Sequence, residues 1–412
     1  MPILITQRAA KMRIAAIWVS ISFALISNVI PFFRGENADD AELVYETARS
    51  WQLAGLLALV LAAALLGRFR VVKTRAFLFG VSLALYLVLN SSLSALPEVS
   101  LTYASIFMFI LLLISMLRLE AIDWLRIFRI TSLVLAPMLI FFVATKQLQD
   151  RYVGAIHPNI MGTWIFVIAV LAAAWASWVR WPICGAAIAI GVIVDSRFSV
   201  LGSILFIAAF WVFSASHSPR KALLAVIGAA VVIAVLSETP LVGFIAGEGE
   251  RSLTEGGISG RTELWDASYA RILEHPLLGS GFRATVEAQL ISHSGLLTLI
   301  EELGLIGLVL FAVLIALRSM ELFQTARYSQ SPDTRHLSSI LLAGLIANAV
   351  PFAFQPNYLN FGDPLGLLML MILFTNIPAP ASSAIALSER NRAAFIASAP
   401  PTTHYARDDL SP

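Results

Sequence analysis

Residues 293–307 have the sequence HSGLLTLIEELGLIG and mark the point at which a polar segment becomes an apolar helix. The imidazole of His293 stands at the mouth of this predicted membrane-spanning helix, where a titratable group is suited to moving a proton. Eleven and fourteen residues advance an α-helix by about three and four turns, so Gly304 and Gly307 are predicted to share a face with His293. Small residues on such a face allow a second helix to approach closely. The stretch therefore predicts a histidine held above a tightly packed helix seam.

The composition identifies the class of protein around this stretch. The chain has 412 residues, of which 58% are apolar and 13% charged, and the mean hydropathy is +0.81. A water-soluble domain cannot bury so much apolar surface, so we expect an all-α polytopic integral membrane protein. The formal net charge of +2 is too small to indicate a nucleic-acid partner. The single cysteine, Cys184, excludes an intramolecular disulfide, and the first apolar stretch is of spanning length, so no cleavable signal peptide is expected.

About twelve segments approach the roughly 20 apolar residues that are needed to cross a bilayer. They lie at residues 14–33, 51–67, 76–95, 99–117, 128–145, 158–179, 182–196, 198–214, 222–246, 291–317, 337–355 and 363–379. These segments predict a polytopic membrane domain over residues 1–379. The tail, residues 380–412, is rich in Ala, Ser, Pro and Thr and is predicted to be disordered.

Lysines and arginines indicate the orientation of the spans, because cytoplasmic connections are enriched in them. One set of span ends and connections carries most of these residues: Arg8, Lys11, Arg13, Arg68, Arg70, Lys73, Arg75, Arg118, Arg126, Arg129, Arg180, Arg220, Lys221, Arg318, Arg327 and Arg335. The alternate connections, such as 34–50 and 91–98, are acidic or poor in basic residues. The basic set and both termini are therefore predicted to be cytoplasmic. The longest connection, about 247–290, then faces outward together with His293.

The outward loop contains one predicted helix, RTELWDASYARILE, at residues 261–274. Its apolar residues fall near one face at helical spacing, which predicts a helix lying on the membrane–water interface. The segment HPLLGSGF, residues 275–282, follows directly. Its Pro276, Gly279 and Gly281 are predicted to break the helix.

Two arginines at the outer boundary are candidate ligands for an anion. Arg261 starts the interfacial helix, where its fork of donors suits phosphate oxygens, although a snorkelling or ion-paired arginine fits the same pattern. Arg197 follows a turn with almost no polar linker between two spans. An arginine at that depth is costly unless it pairs or lines a wet cavity, so we expect a functional use, with a local pair to Asp195 as the alternative.

The environment of His293 suits a general base. If the helix begins near His293, its N-terminal dipole disfavours the imidazolium form, and a nearby arginine acts in the same direction. The imidazole then stays neutral and able to accept a proton. Glu301 and Glu302 lie two to three turns deeper and require partners or protons if they enter the hydrocarbon, and we favour a structural role for them. The sequence contains no metal-ligand cluster, and no metal site is expected.

The pattern His-[Asn/Ser/Gln]-x9-Gly-x-x-[Gly/Thr/Tyr] occurs here as His293, Ser294, Gly304 and Gly307, and it resembles a signature of the O-antigen ligases of Gram-negative bacteria. Further segments resemble the wider O-antigen ligase and polymerase superfamily: HPNIMGTW at 157–164, SRFSVLGSILF at 196–206 and GRTELWDASYARILEHPLLGSGF at 260–282. The order of these segments and the twelve-span layout with one large periplasmic loop also agree. The resemblance covers roughly residues 150–320.

This resemblance implies a multi-pass glycosyltransferase of the bacterial inner membrane with its active site facing the periplasm. Such enzymes transfer a glycan from undecaprenyl pyrophosphate to an acceptor hydroxyl with inversion and without a metal or other cofactor. Carried over to this chain, His293 is the general base, and Arg197 and Arg261 bind the pyrophosphate. The expected partners are the lipid-linked glycan donor, a lipid A–core or growing glycan acceptor, and membrane lipids.

Ligation of O-antigen to lipid A–core in lipopolysaccharide synthesis is the expected function, because the histidine motif favours it. Polymerases of O-antigen or exopolysaccharide have similar histidine segments and use the same donor, so polymerisation stays open, as does protein glycosylation. A polysaccharide transporter or flippase is a further alternative, in which Glu301, Glu302, Asp195 and Arg197 form a proton or headgroup pathway. Transporters usually show internal repeats or broken helix pairs, which we do not detect in the sequence.

Overall fold

The structure is a computed structural model. It describes residues 2–27, 29, 41–66, 74–145, 148–149, 152–153, 158–194, 196–214, 261–287, 292, 294–355, 359 and 363–377. The predicted ninth span, residues 222–246, the first part of the outward loop and the tail from residue 380 lie outside these ranges.

The described residues form an almost entirely helical protein. The helices are α1 (Pro2–Ser27), α2 (Ala41–Leu66), α3 (Arg75–Asn90), α4 (Pro97–Met116), α5 (Ala121–Thr145), α6 (Pro158–Ala172), α7 (Ser177–Ile193), α8 (Arg197–Ser214), α9 (Arg261–Glu274), α10 (Ala284–Glu287), α11 (Gly295–Tyr328), α12 (Pro332–Ala347), α13 (Ala349–Phe354) and α14 (Pro364–Phe374). A 3-10 turn, Ser91–Leu93, links α3 to α4. Two short strands, β1 (Leu148–Gln149) and β2 (Tyr152–Val153), pair antiparallel between α5 and α6.

Six helical segments of the described chain are long and apolar enough to cross a membrane. They are Arg75–Leu93, Pro97–Met116, Ala121–Thr145, Arg197–Ser214, Gly295–Tyr328 and Pro332–Ala353. Four shorter apolar helices accompany them, at Ser50–Leu66, Asn159–Ala172, Ser177–Ile193 and Pro364–Phe374. The prediction of an all-helical membrane protein is therefore confirmed. Helices occupy eleven of the twelve predicted ranges, but the count of twelve spans stays a prediction.

Polar side chains next to the helix starts account for several of the boundaries. Each accepts a hydrogen bond from a backbone N–H of the first turn, which otherwise has no partner. The capping residues are Thr74 for α3, Ser294 for α11, Ser331 for α12 and Asp363 for α14. In α12 and α14 a proline follows the cap, where its missing N–H and fixed φ are tolerated.

The core of the bundle lies around the two short helices α6 and α14. Almost every described residue of both is buried, and α6 packs against α5, α7, α8 and α14. A helix that is apolar on all sides is suited to such a central position. In contrast, α2 exposes Leu53, Leu57 and Leu61, four residues apart on one face. The arrangement thus buries two short apolar helices and turns apolar side chains of α2 outward, as expected in a lipid environment.

Candidate functional site

Helix α11, which follows His293, is broken at Gly304. The backbone of Gly304 has φ 63° and ψ −169°, so two helical halves, 295–303 and 305–328, meet at this residue. At 1.5 Å per residue the second half is about 36 Å long and is sufficient to cross a bilayer, whereas the first is only about 14 Å long. The break therefore divides a spanning helix from a short half-helix that carries the end nearest His293.

The segment 275–282 of the outward loop fills the break with its backbone. It donates to carbonyls at the end of the first half-helix and accepts from N–H groups at the start of the second. The bonds are Ser280 N to Glu301 O (2.8 Å), Gly281 N to Glu302 O (3.1 Å), Leu305 N to Pro276 O (2.9 Å) and Ile306 N to Leu277 O (3.2 Å). Such pairing is necessary because an unsatisfied backbone N–H or C=O group inside a membrane costs about 3 kcal/mol.

Side chains of α3 add bonds to this junction between the 275–282 segment and the break in α11, which we call the outer joint. The hydroxyl of Tyr86 donates to the carbonyl of Leu303 at 2.7 Å, and the Asn90 amide donates to the carbonyl of Leu278 at 2.6 Å. From α4, Ser100 Oγ donates to the carbonyl of Phe282 at 2.6 Å. The loop is thus held by three helices, α3, α4 and α11.

Glycines allow the two backbones to approach. A Cβ on Gly279 would lie 2.3 Å from the Glu302 carbonyl oxygen, and one on Gly304 would lie 2.3 Å from that of Leu277. Gly279 and Gly281 also have positive φ, 75° and 112°, which only glycine adopts readily. The prediction that the 275–282 segment ends the preceding helix is confirmed, since α9 stops at Glu274.

The prediction that Gly304 and Gly307 both pack against a second helix is wrong for Gly304. Gly304 contacts the backbone of the loop and not a neighbouring helix, and its positive φ interrupts the helical phase that was to align it with His293. Gly307 does face another helix, since a Cβ there would lie 3.2 Å from the Tyr86 ring of α3. The close approach is therefore made by a loop at the first glycine and by a helix at the second.

Glu301 and Glu302 are buried and have partners. Glu301 accepts from Arg271 Nε and from Ser268 Oγ, the latter at 2.7 Å, and Arg271 also donates to Ser268 at 3.2 Å. Glu302 accepts from the hydroxyl of Thr285. A buried carboxylate requires such partners. The two glutamates hold α9 and α10 against α11, in agreement with the structural role expected for them.

The first part of α9 is bonded to Ser292. Trp265 lies one turn after Arg261, and its Nε1 donates to the carbonyl of Ser292 at 3.0 Å. Ser292 immediately precedes His293. The side chain of Arg261 and all atoms of His293 lie outside the described residues, so the predicted roles of these two residues stay predictions.

Arg197 is the first residue of α8 and is partly buried. Helix α8 contacts both α11 and α13, and a Cβ on Gly202 would lie 3.6 Å from Pro351 of α13. The start of α11 also packs on α13, because Gly295 lies against Phe352 and the Gln355 carbonyl. Helix α13 thus bridges α8 to the start of α11. Asp195 lies outside the described residues, so its pair with Arg197 stays a prediction.

The contacts group the connections at two ends of the bundle. The 91–96 connection, the 275–282 segment and the break in α11 lie together, since a Cβ on Gly281 would meet Ser94 N at 2.3 Å and the segment bonds to residues on both sides of the break. Following the predicted orientation, we call this the outer end.

The inner end contains the turn after α6. The carbonyls of three successive residues, 173 to 175, accept from basic side chains of three other helices. The bonds are His336 Nε2 to Ala173 O (3.0 Å), Arg129 Nε to Ala174 O (2.7 Å) and Arg180 Nη2 to Trp175 O (2.6 Å). Cations are favourable at this end of a helix, where carbonyls are unpaired and the dipole is negative.

Several residues of the outer assembly were not predicted from the sequence, among them Ser268, Arg271, Thr285 and Tyr86. One signal was present, because two adjacent glutamates in an apolar helix require donors, and Arg271 is the basic residue nearest the middle of α9. The described residues contain no group of three or more His, Cys, Asp or Glu side chains arranged to hold a metal ion.

Comparison with known proteins adds no relative: no protein-family model matches the chain, and no curated protein is similar to it at a significant level.

Proposed function

We propose that this protein is a metal-independent, inverting glycosyltransferase. It transfers a glycan from undecaprenyl pyrophosphate to an acceptor hydroxyl at the periplasmic face of the bacterial inner membrane, most specifically O-antigen to lipid A–core. The observation that supports this most is the bond from Trp265 to Ser292. It joins the helix that begins at Arg261 to the residue before His293, and this link supports assigning the proposed phosphate ligand and the proposed base to one site.

The proposed chemistry needs only positioning and charge. His293 accepts the proton of the acceptor hydroxyl while its oxygen forms a bond to the anomeric carbon. The bond from that carbon to the phosphate oxygen breaks, and undecaprenyl pyrophosphate leaves. Arg197 and Arg261 neutralise the charge that grows on the leaving group. Pyrophosphate is a good leaving group, so orientation and preorganised electrostatics supply most of the rate.

The architecture supports a rigid site at the outer surface. The short half-helix 295–303 carries the end of α11 that follows His293 in sequence, and the proposed base therefore stands at the end of a helix. The loop next to it is held by backbone bonds on both sides of the break. Preorganisation of this kind is required where positions within about 1 Å decide the rate.

The pairing of the glutamates weighs against the transporter alternative. Both carboxylates are buried and already engaged by Arg271, Ser268 and Thr285. A proton pathway needs carboxylates that exchange protons with water, whereas these two fix one helix to another. The lipid-linked transferase therefore accounts better for the observed contacts.

The decisive experiment is transfer by purified protein in lipid nanodiscs, with His293→Ala compared with the parent chain. We expect kcat to fall by about 10²- to 10⁴-fold, the usual contribution of a general base. His275→Ala is the matched control, because that histidine is exposed in the same loop and engages through its backbone. Surviving transfer in His293→Ala would remove the base assignment.

The anion ligands are tested by Arg197→Lys and Arg261→Lys. A lysine is a point charge and does not reproduce the bidentate fork, so each variant should raise the KM for the donor by about tenfold or more. Full activity in both would remove the pyrophosphate assignment.

Deletion of the gene separates ligation from polymerisation on one lipopolysaccharide gel. Loss of a ligase leaves bare lipid A–core while polymerised glycan stays on undecaprenyl pyrophosphate. Loss of a polymerase leaves single repeat units attached to core. The first pattern supports ligation, and the second transfers the proposal to polymerisation.

A further inference from the structure

Arg283 has an unfavourable backbone conformation at the outer end. Its φ is 66°, and Leu359 is the only other non-glycine residue with positive φ in the described part of the chain. A long side chain in this region persists only where the surroundings enforce it, and such positions concentrate at functional sites. Glycine at this position would avoid the strain, so the presence of arginine requires a reason.

The surroundings of Arg283 fix its backbone on both sides. Phe282 is fully buried, and its carbonyl accepts from Ser100 Oγ at 2.6 Å. Ala284 N donates to the carbonyl of Gly281 at 3.1 Å and closes a turn around the arginine. Thr285 is held by Glu302. Arg283 is therefore presented by a locked turn between α4 and α11.

The guanidinium of Arg283 lies over the Tyr103 ring, with its central carbon 4.6 Å from the ring centroid. Among the described residues it has no carboxylate partner, and its buried Nε has no hydrogen-bond partner there. Arg126 makes a comparable stack on Trp18, at 4.7 Å, but it also has Asp123 at 3.9 Å. Arg271, near Arg283 in sequence, pairs with Glu301.

This geometry leaves the edge of the guanidinium for a ligand. The tyrosine ring covers the guanidinium on one side, so an approaching oxyanion meets the nitrogen donors from another direction, where arginine makes paired hydrogen bonds. A half-buried cation with an unsatisfied donor is unfavourable until such a partner arrives. The locked backbone means that binding requires little further ordering of the site.

We propose that Arg283 binds an oxyanion of a substrate, either a phosphate of the polyprenyl pyrophosphate donor or an acidic group on the acceptor glycan. This inference rests on the proposed transfer reaction and adds a third arginine to its site. The strained turn holds the guanidinium in place for that anion.

The test compares Arg283→Gly, Arg283→Ala and Arg283→Lys with the parent protein in detergent micelles. The binding probe is undecaprenyl pyrophosphate without a glycan, and the kinetic readouts are the KM values for donor and acceptor. We expect Arg283→Gly and Arg283→Ala to lose affinity equally, by tenfold or more, with Arg283→Lys intermediate. Arg126→Ala is the matched control, as a stacked arginine that has a carboxylate partner, and should bind like the parent.

Melting temperatures separate the guanidinium from the strain. Arg283→Gly relieves the backbone strain and Arg283→Ala keeps it, so the glycine variant should melt higher than the alanine variant while binding no better. Affinity that instead rises with melting temperature across the two variants would reveal a purely structural arginine and overturn the proposal.

The two anion sources give different results. Weaker probe binding identifies the donor pyrophosphate, whereas unchanged probe binding with a raised KM for the acceptor identifies the acceptor group. If neither changes by more than twofold, the inference fails while the transfer reaction stands. If the parent binds the probe through Arg283 but transfers no glycan, the transfer reaction fails while the anion site stands.

Discussion

The end of α6 and the break in α11 solve the same problem in different ways. Both leave backbone carbonyls without helical partners inside the bundle. At the end of α6, three basic side chains from α5, α7 and α12 donate to three successive carbonyls. At the break in α11, the partners are mainly backbone groups of the 275–282 segment. A joint made by side chains can be weakened one bond at a time, whereas a joint made by two backbones depends on close approach and tolerates no added atom.

The largest expected effect is that of Gly304→Ala. The new Cβ would lie 2.3 Å from the Leu277 carbonyl oxygen at a φ of 63°, so the loop and the helix must separate. We expect a loss of more than about 3 kcal/mol and little folded protein in the membrane. The measurement is the yield of monodisperse protein and its thermal unfolding in detergent.

Gly185→Ala is the control for that substitution, because nothing lies within 4 Å of a Cβ at Gly185. Alanine there should be neutral or stabilise α7 by up to about 1 kcal/mol. Equal stability of the Gly304→Ala and Gly185→Ala variants would contradict the backbone joint.

The next largest effect is expected from Arg271→Met. This change leaves the buried carboxylate of Glu301 without its cation and should destabilise the protein by about 3 kcal/mol. The double variant Arg271→Met/Glu301→Gln should recover most of the loss, because the uncompensated charge is gone. Thermal unfolding of the parent, the two single variants and the double variant gives the coupling free energy.

Arg126→Met is the matched control. Its ion pair with Asp123 is solvent-exposed on the arginine side and should contribute less than about 1 kcal/mol. A coupling free energy near zero between Arg271 and Glu301 would show that the pair does not hold α9 to α11.

A smaller, graded effect is expected at the end of α6. Arg129→Met and His336→Phe each leave one carbonyl unpaired and should cost about 1–3 kcal/mol. Arg129→Lys, which keeps a donor, should cost less. If the side-chain bonds at the end of α6, the inner joint, act independently, the stability losses of the two single variants add in the double variant. Thermal unfolding tests this. A single variant that abolishes folding would show that this joint is as indivisible as the outer one.

The smallest effect concerns a helix start, where the groups to be satisfied are donors. Asp363 caps α14 by accepting a hydrogen bond from Leu365 N at 2.6 Å. Asp363→Ala removes this cap and should cost about 1 kcal/mol of stability. Asp363→Asn keeps a side-chain oxygen at the cap and should cost less.

Unfolding temperatures of the parent, Asp363→Asn and Asp363→Ala in detergent check this. The alanine variant should melt lowest, with the asparagine variant close to the parent. Equal unfolding temperatures of the alanine variant and the parent would show that the cap does not stabilise α14.

Local chemistry in the sequence was sufficient to predict several elements. Helix α9 covers residues 261–274 as predicted, because its apolar face, its first residue and the proline and glycines that follow all lie in one short segment. Local sequence patterns could not predict the partners of Glu301 or the break at Gly304. A lone glycine within an apolar run ordinarily continues the helix, and only the loop some 25 residues earlier supplies the bonds that make a break possible.

The boundary between α6 and α7 shows the same limit. The sequence predicted spans at 158–179 and 182–196, with Pro182 at the start of the second. The structure ends α6 at Ala172 and begins α7 at Ser177, with Pro182 inside α7. The cause is tertiary, since basic side chains from α5 and α12 take the carbonyls that would have continued α6. Likewise, α8 and the start of α11 both contact α13, which lies more than 150 residues after Arg197 and could not be placed between them from local sequence.

The joint at the break also governs which residues of the outer loop are free to vary. Leu277 and Leu278 expose their side chains, yet their carbonyls are taken by Ile306 in one case and by Tyr86 and Asn90 in the other. Substitutions at these two positions can change the exposed surface without loosening the anchor beneath it. Under the proposed transfer reaction, changes at Leu277 and Leu278 would alter acceptor preference, while the adjacent glycines permit almost no change.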